Sequence, residues 1–325
     1  MNYQTKFMFY RQLGVMLNSG LDILYSLENI MKNTNNIELK NIISFLYKGV
    51  SSGELLAQCM KKFSSKTFTK FEINVILSGE KSGKLPEVLF QLAEYFESMY
   101  KVKSKIITGM LYPAILFHLA IIIPASPNLI LKGIGAFLKT IIPPFLFIYG
   151  IIFSIILIKK LFTNSILVSL WDNLVIKIPL FGKLIRQIII VRYLQSFTCL
   201  YTSGVGVIES IPIAAETMDN SIIKNEILKS LFLLKEGKTL SEAFANNPYI
   251  EKIVYDMIKT GEVSGKIDET LKHVLQYLQS EIETTIERIV KIAPVVVYLI
   301  VALYIAYIII SFYAGYLNQV NSLFE

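Results

Sequence analysis

Two short strings in this chain carry side chains that chemistry could use. Gly79-Glu80-Lys81-Ser82-Gly83-Lys84 and Gly261-Glu262-Val263-Ser264-Gly265-Lys266 each bring glycines, a carboxylate, a hydroxyl and a lysine together within six residues. A phosphate-binding loop uses such a set, with glycine N–H groups cradling phosphate oxygens, a lysine on the outer phosphates and a Ser or Thr on magnesium. Both strings are one residue short of that spacing, and Leu85 and Ile267 stand where the hydroxyl is needed. Gly237-Lys238-Thr239 has the right ending, but Phe232 occupies the place of the first glycine. The spacing argues against nucleotide hydrolysis by the chain itself, and no other enzyme motif emerges.

The remaining reactive residues are few. Two histidines and two cysteines cannot assemble a metal cluster at familiar spacing, so no metal or cofactor is expected. His118 lies in an apolar stretch, where an ionisable group is a functional hypothesis by default. The plainer reading is a neutral imidazole hydrogen-bonded to a neighbouring helix. Trp171, Tyr298, Tyr304, Tyr307 and Tyr313 read as packing and membrane-interface anchors.

The two strings belong to an internal repeat. Residues 78–89 recur at 260–271, with seven of twelve positions identical. Upstream, Ser19-Gly20 recurs as Ser203-Gly204, Gly53 as Gly237 and Leu56 as Leu240, at an offset of 184 rather than 182. A two-residue length change between the motifs accounts for the difference. Each copy has apolar residues three and four apart, as in Phe9, Leu13, Met16 and Leu17, and no sustained alternation of the strand type. The glycines suit helix stops, and positive φ is expected at Gly79, Gly83, Gly261 and Gly265. Glu80 and Glu262 are harder to explain by turn geometry; a structural hydrogen bond and a partner contact both stay open.

Composition then places the repeats. Of the 325 residues 53% are hydrophobic and 18% charged, against about 25% charged in an ordinary soluble domain. Ile106–Leu131, Thr140–Ile158 and Ile292–Phe324 contain no Asp, Glu, Lys or Arg. Helices crossing a membrane need about 20 predominantly apolar residues, which gives expected spans at 106–125, 141–158 and 293–313. Fourteen Lys and Arg lie in 1–105, sixteen in 159–291, and only Lys132 and Lys139 between the first two spans. Basic residues near span ends stay in the cytoplasm, so both repeats are expected there and a 126–140 loop outside. The same rule explains the net charge of +7 without nucleic acid, and no basic stripe with stacking aromatics is present. No cleavable signal peptide is expected.

The expected fold is an all-α membrane protein: a first helical repeat domain at 1–105, two spans with a short external loop at 106–160, a second repeat domain at 161–291, and a third span with a short tail at 292–325. Paired Ser-Gly and Gly-Glu-x-Ser-Gly-x-Leu/Ile motifs, each before a helix running into a span, resemble the type II secretion system protein F family. Ser19, Gly20, Gly53, Gly79, Glu80, Ser82, Gly83 and Leu85 carry the likeness in the first copy. Ser203, Gly204, Gly237, Gly261, Glu262, Ser264, Gly265 and Ile267 carry it in the second. Pro179 and Gly182 match the Pro-x-x-Gly segment that opens the family's second domain, and Tyr112-Pro113 and Pro294 fit its spans. Ala293 departs from the family's common Glu-Pro.

The resemblance implies a platform in the bacterial inner membrane, serving type II secretion, type IV pili or competence pseudopili. Its implied partners are a cytoplasmic hexameric ATPase, pilin-like subunits, other inner-membrane assembly components and further copies of itself. A transporter or channel subunit is the alternative, although the three spans carry no Asp, Glu, Lys or Arg to line a pathway.

Overall fold

The computed structural model describes residues 1–63, 67–161, 166–178 and 181–321, in parts of 132–171 and 300–321 as backbone alone. The described residues form helices and no strand. The first copy comprises α1 (Tyr3–Asn18), α2 (Ile23–Asn33), α3 (Ile37–Ser51), α4 (Leu56–Phe63), α5 (Lys70–Ser82) and the start of α6 (Leu85–Leu161). After α7 (Ile166–Lys177), the order is repeated by α8 (Phe181–Thr202), α9 (Val207–Ala215), α10 (Ser221–Lys235), α11 (Leu240–Phe244), α12 (Lys252–Ser264) and α13 (Ile267–Asn321).

Local sequence explains where these helices begin and end. Asn2, Asp22, Asn36 and Asn220 each accept from backbone N–H groups of the following turn. Thr69 with Glu72 and Thr239 with Glu242 close reciprocal capping boxes. The stops are duplicated as well. Positive φ occurs at Gly20 and Gly204, at Gly53 and Gly237, and at Gly83 and Gly265, three equivalent pairs. At each, the N–H of the next residue reaches back five positions to a carbonyl, as from Lys84 to Gly79 and from Lys266 to Gly261, both at 2.9 Å.

The chain divides into two compact units. One comprises Met1–Ser104 and Asp172–Glu283, and so contains both copies of the repeat. Their cores correspond: Leu27 with Ile211, Ile43 with Ile227, Ile76 with Ile258 and Leu89 with Leu271 are all buried. The copies meet where α5 and α6 of the first pack on α8 of the second. There the Ser78 hydroxyl donates to the Ser203 carbonyl at 2.6 Å and the Ser203 hydroxyl donates to Gln91 Oε1 at 2.8 Å.

The other unit comprises Lys105–Trp171 and Thr284–Glu325. Among the described residues one helix, Leu85–Leu131, is long and apolar enough to cross a membrane. Ile107, Leu111, Ile123 and Ile130 stand at least 60% exposed along it, an apolar surface that water would penalise. The expected spans at 141–158 and 293–313 include residues whose side chains fall outside the described set. The loop expected over 126–140 is instead helical apart from Gly133, whose φ of 79° and ψ of 177° break α6. Proline at 124 and 127 did not end the helix; a single glycine turns the chain. Asn128 Nδ2 donates to Thr140 Oγ1 at 3.1 Å across that break. Gly109 lets α6 and α13 approach: a Cβ there would sit 3.0 Å from Val290 Cγ2.

Candidate functional site

The duplicated Gly-Glu-x-Ser-Gly segment is the last turn of a helix rather than a loop. Gly79-Glu80-Lys81-Ser82 closes α5 and Gly261-Glu262-Val263-Ser264 closes α12. Only Gly83 (φ 70°) and Gly265 (φ 69°) adopt the left-handed state, so the expectation of positive φ at Gly79 and Gly261 is corrected. Those two glycines are helical and serve close approach. A Cβ on Gly79 would overlap the Val88 methyls of α6, and one on Gly261 would lie 2.7 Å from Thr270 Oγ1 of α13. Leu85 and Ile267 begin the helices that make this contact.

The two glutamates have one role, repeated. The Glu80 carboxylate accepts from the backbone N–H groups of Leu56 (2.6 Å) and Ala57 (3.0 Å) at the start of α4. The Glu262 carboxylate accepts from those of Leu240 (2.6 Å) and Ser241 (3.0 Å) at the start of α11. The first N–H groups of a helix have no partner within it, and the helix dipole favours negative charge there. A carboxylate from the end of one helix therefore clasps the start of another more than twenty residues earlier. Burial raises the Glu80 carboxyl above the ordinary carboxylate range, and the two N–H donors oppose that shift. Ser82 and Ser264 bond back within these last turns: the Ser82 hydroxyl donates to Ser78 O (2.8 Å) and lies 3.4 Å from Gly79 O, and the Ser264 hydroxyl donates to Gly261 O (3.3 Å).

The other motif residues position the lobes. Ser19-Gly20 ends α1, and Ser203-Gly204 ends α8 at the junction between copies. Gly53 and Gly237 turn the chain into α4 and α11, whose starts the glutamates clasp. Gly182 opens α8 beneath the Ile176 carbonyl, where a Cβ would overlap backbone. Pro113 is buried within α6 and Pro294 half-buried within α13. Pro179 lies outside the described residues.

A buried polar cluster in the first copy escaped the sequence reading. Glu72 is fully buried and accepts from Lys6 Nζ at 2.7 and 2.9 Å, from the Tyr10 hydroxyl at 2.7 Å, and from the Thr69 N–H and hydroxyl, both at 2.9 Å. Burial first, and then the neighbouring Glu72 charge, push the Tyr10 hydroxyl well above its ordinary value. Thr69-x-x-Glu72 has capping-box spacing, a signal the sequence reading passed over, and nothing in the sequence marks the lysine sixty-six residues upstream. Arg192 pairs with Asp219 beside the copy junction.

In the second unit, His118 Nδ1 lies 2.6 Å from the Ala114 carbonyl and Nε2 lies 2.7 Å from the Tyr149 hydroxyl. A carbonyl can only accept, so Nδ1 carries a proton toward Ala114, and Nε2 and the Tyr149 hydroxyl share the second hydrogen bond. The second bond joins the helical segments on either side of Gly133, the interhelical hydrogen bond of the plainer reading. Cys59 and Cys199 are free and buried, and burial pushes the Cys199 thiol far up. Among the described residues no group of three or more His, Cys, Asp or Glu is placed to share a metal ion.

Comparison with known proteins assigns this duplicated architecture. The sequence model of the family "Type II secretion system (T2SS), protein F" matches residues 9–127 and again 193–315. The chain belongs to this family. Its relatives fall under two kinds of name. A type IV pilus assembly protein PilC of Thermus thermophilus is 25% identical over 86% of this chain and 73% of its own length. A type II secretion system protein F of Vibrio cholerae is 24% identical over 85% of this chain and 73% of its own. A PilC of Pseudomonas aeruginosa is 23% identical over 94% of this chain and 87% of its own. Each family match includes one Ser-Gly stop and one Gly-Glu clasp.

Proposed function

We propose that this chain is the inner-membrane platform of a type II secretion or type IV pilus assembly machine. The observation that carries the reading is the double family match, with relatives named for both machines over most of the chain. In this reading the spans at 106–125, 141–158 and 293–313 cross the membrane, and the repeats at 1–105 and 161–291 hang in the cytoplasm. The grouping of Lys and Arg in those repeats supports it, as does the exposed apolar surface of Leu85–Leu131.

The platform is a transmission element and not an enzyme. A cytoplasmic assembly ATPase engages the repeats, and its movements help extract pilin-like subunits from the membrane and add them to a fibre. Helices α6 and α13 each start in a repeat and continue into an apolar segment, which supports a role for both in passing movement from the repeats toward the membrane. The Glu80 and Glu262 clasps fix α5 and α12 to α4 and α11 beside the starts of those two helices. Other inner-membrane assembly components and further copies of the chain complete the machine.

Deleting the gene tests the reading. Fibre assembly should be lost while pilin-like subunits are still made and inserted, and the intact gene should restore it. Normal fibres in the deletion strain would overturn it. A reporter fused after residue 200 should be found in the cytoplasm; one found outside would remove the proposed coupling.

A further inference from the structure

The equivalent helices α6 and α13 touch through Gln279 Nε2, which donates to Ser98 Oγ at 2.8 Å, but the larger contact between the two copies is not mutual. Helix α8 of the second copy packs into the face made by α5 and α6 of the first, through Cys199 and Ser203 against Gln91 and through Gln195 against the Glu94 carbonyl. In a two-fold pairing, α1 of the first copy would pack in the same way on α12 and α13 of the second. It does not. Val15, the equivalent of Cys199, is 49% exposed where Cys199 is 5% exposed, and Met8, the equivalent of Arg192, is 46% exposed. Arg11, Gln12 and Ser19 complete an uncovered face on α1. On the other side, Thr260, His273 and Gln276, the equivalents of Ser78, Gln91 and Glu94, are all exposed.

The internal junction is therefore head-to-tail, and each end of the pair keeps one open half of the same joint. We propose that the α1 face of one chain docks on the α12–α13 face of a second copy of this chain, repeating between molecules the contact already made within one. A heterologous joint of this kind closes into a ring or extends, instead of stopping at a two-fold dimer. The chemistry transfers. Thr260, whose hydroxyl donates within its own helix to Asp256 O, would turn to the Ser19 carbonyl as Ser78 does to Ser203, and Arg11 would donate to the Gln276 carbonyl as Gln195 does to Glu94. One internal ion pair, Lys70 with Glu216, maps onto Lys252 and Lys32. Lys32 is already neutralised by Glu28 at 2.6 Å, so Lys252 meets a compensated pair.

Cysteine cross-linking of full-length chains in native membranes tests this. Val15→Cys and His273→Cys stand for Cys199 and Gln91, which lie 3.6 Å apart at the internal junction. Two differently tagged chains, one with each substitution, should give a mixed dimer under a disulfide-forming oxidant, and neither variant alone should give it. The chain carrying both substitutions should give products beyond the dimer. A Val15→Cys homodimer would overturn the proposal in favour of two-fold pairing. Cross-linking of Val15→Cys to a different protein in place of a second copy would overturn it in favour of another occupant. Absence of the mixed dimer, with both introduced thiols labelled by a maleimide, would reject the contact itself.

Discussion

Lys6 and Glu72 form a buried ion pair, 2.7 Å from Nζ to Oε2, at a point where the second copy of the repeat holds Ile190 and Val254. Tyr10, which donates to the same carboxylate, has Leu194 as its counterpart. The chain thus builds one core twice, once around a satisfied charge cluster and once around hydrocarbon. Breaking such a pair strands a charge, while replacing it whole by apolar residues is often neutral or better. Lys6→Met should cost about 3–5 kcal/mol. The triple change Lys6→Ile, Tyr10→Leu and Glu72→Val should recover most of that, less about 1 kcal/mol for the lost cap on Thr69. Denaturation of the detergent-solubilised protein by urea measures both.

Gly83 and Gly265 end their helices in the left-handed region, where a Cβ is disfavoured. Gly265→Val should lower stability by about 1 kcal/mol or more, and Gly265→Asn by clearly less, because asparagine tolerates that conformation. Equal effects of the two substitutions on the melting temperature would show that side-chain size and not φ is at issue.

The Glu80 clasp carries a pH signature. Its folded pKa lies above the ordinary 4.5 because burial disfavours the charged form. A carboxyl of that kind binds its proton more tightly when folded, so its contribution is full below the unfolded value and is lost as pH rises through the folded one. Wild type should therefore gain stability relative to Glu80→Gln as pH falls from about neutrality to about 4. A difference in unfolding midpoint that is flat over that range would refute the shift.

His118 and Tyr149 should couple. Interhelical hydrogen bonds of this type in membranes average about 0.6 kcal/mol in double-mutant cycles. His118→Leu and Tyr149→Phe, singly and together, should return an interaction energy of about that size in a denaturing-detergent titration. Fully additive losses would remove the bond.

The parts of this fold that were legible in the sequence are those with a backbone reason. Six glycines at positive φ fall in equivalent pairs, and their spacing exposed the repeat because few other residues can replace them there. Glu80 and Glu262 stood out, yet their partners could not be read: they are main-chain N–H groups, which carry no letter in a sequence. Gly79 and Gly261 were assigned to a turn because glycine marks both turns and close packing, and only the neighbours Val88 and Thr270 tell these apart. The 126–140 segment reads as a loop because it lies between two charge-free stretches and carries Lys132 and Lys139, yet its backbone is helical on both sides of Gly133 and continues through Pro127. Lys6 lies between polar Gln4-Thr5 and apolar Phe7-Met8-Phe9, with nothing nearby in sequence to announce its carboxylate.

The carboxylate clasps have an evolutionary corollary. Between Leu56 and Gly79 the first copy carries two residues more than the second does between Leu240 and Gly261, and the clasp distances agree to a tenth of an ångström. An anchor that spans a connection from outside makes the length of that connection selectively cheap to alter. Insertions and deletions can accumulate there while the lobe keeps its geometry, and a peptide tag engineered into that stretch would exploit the same tolerance.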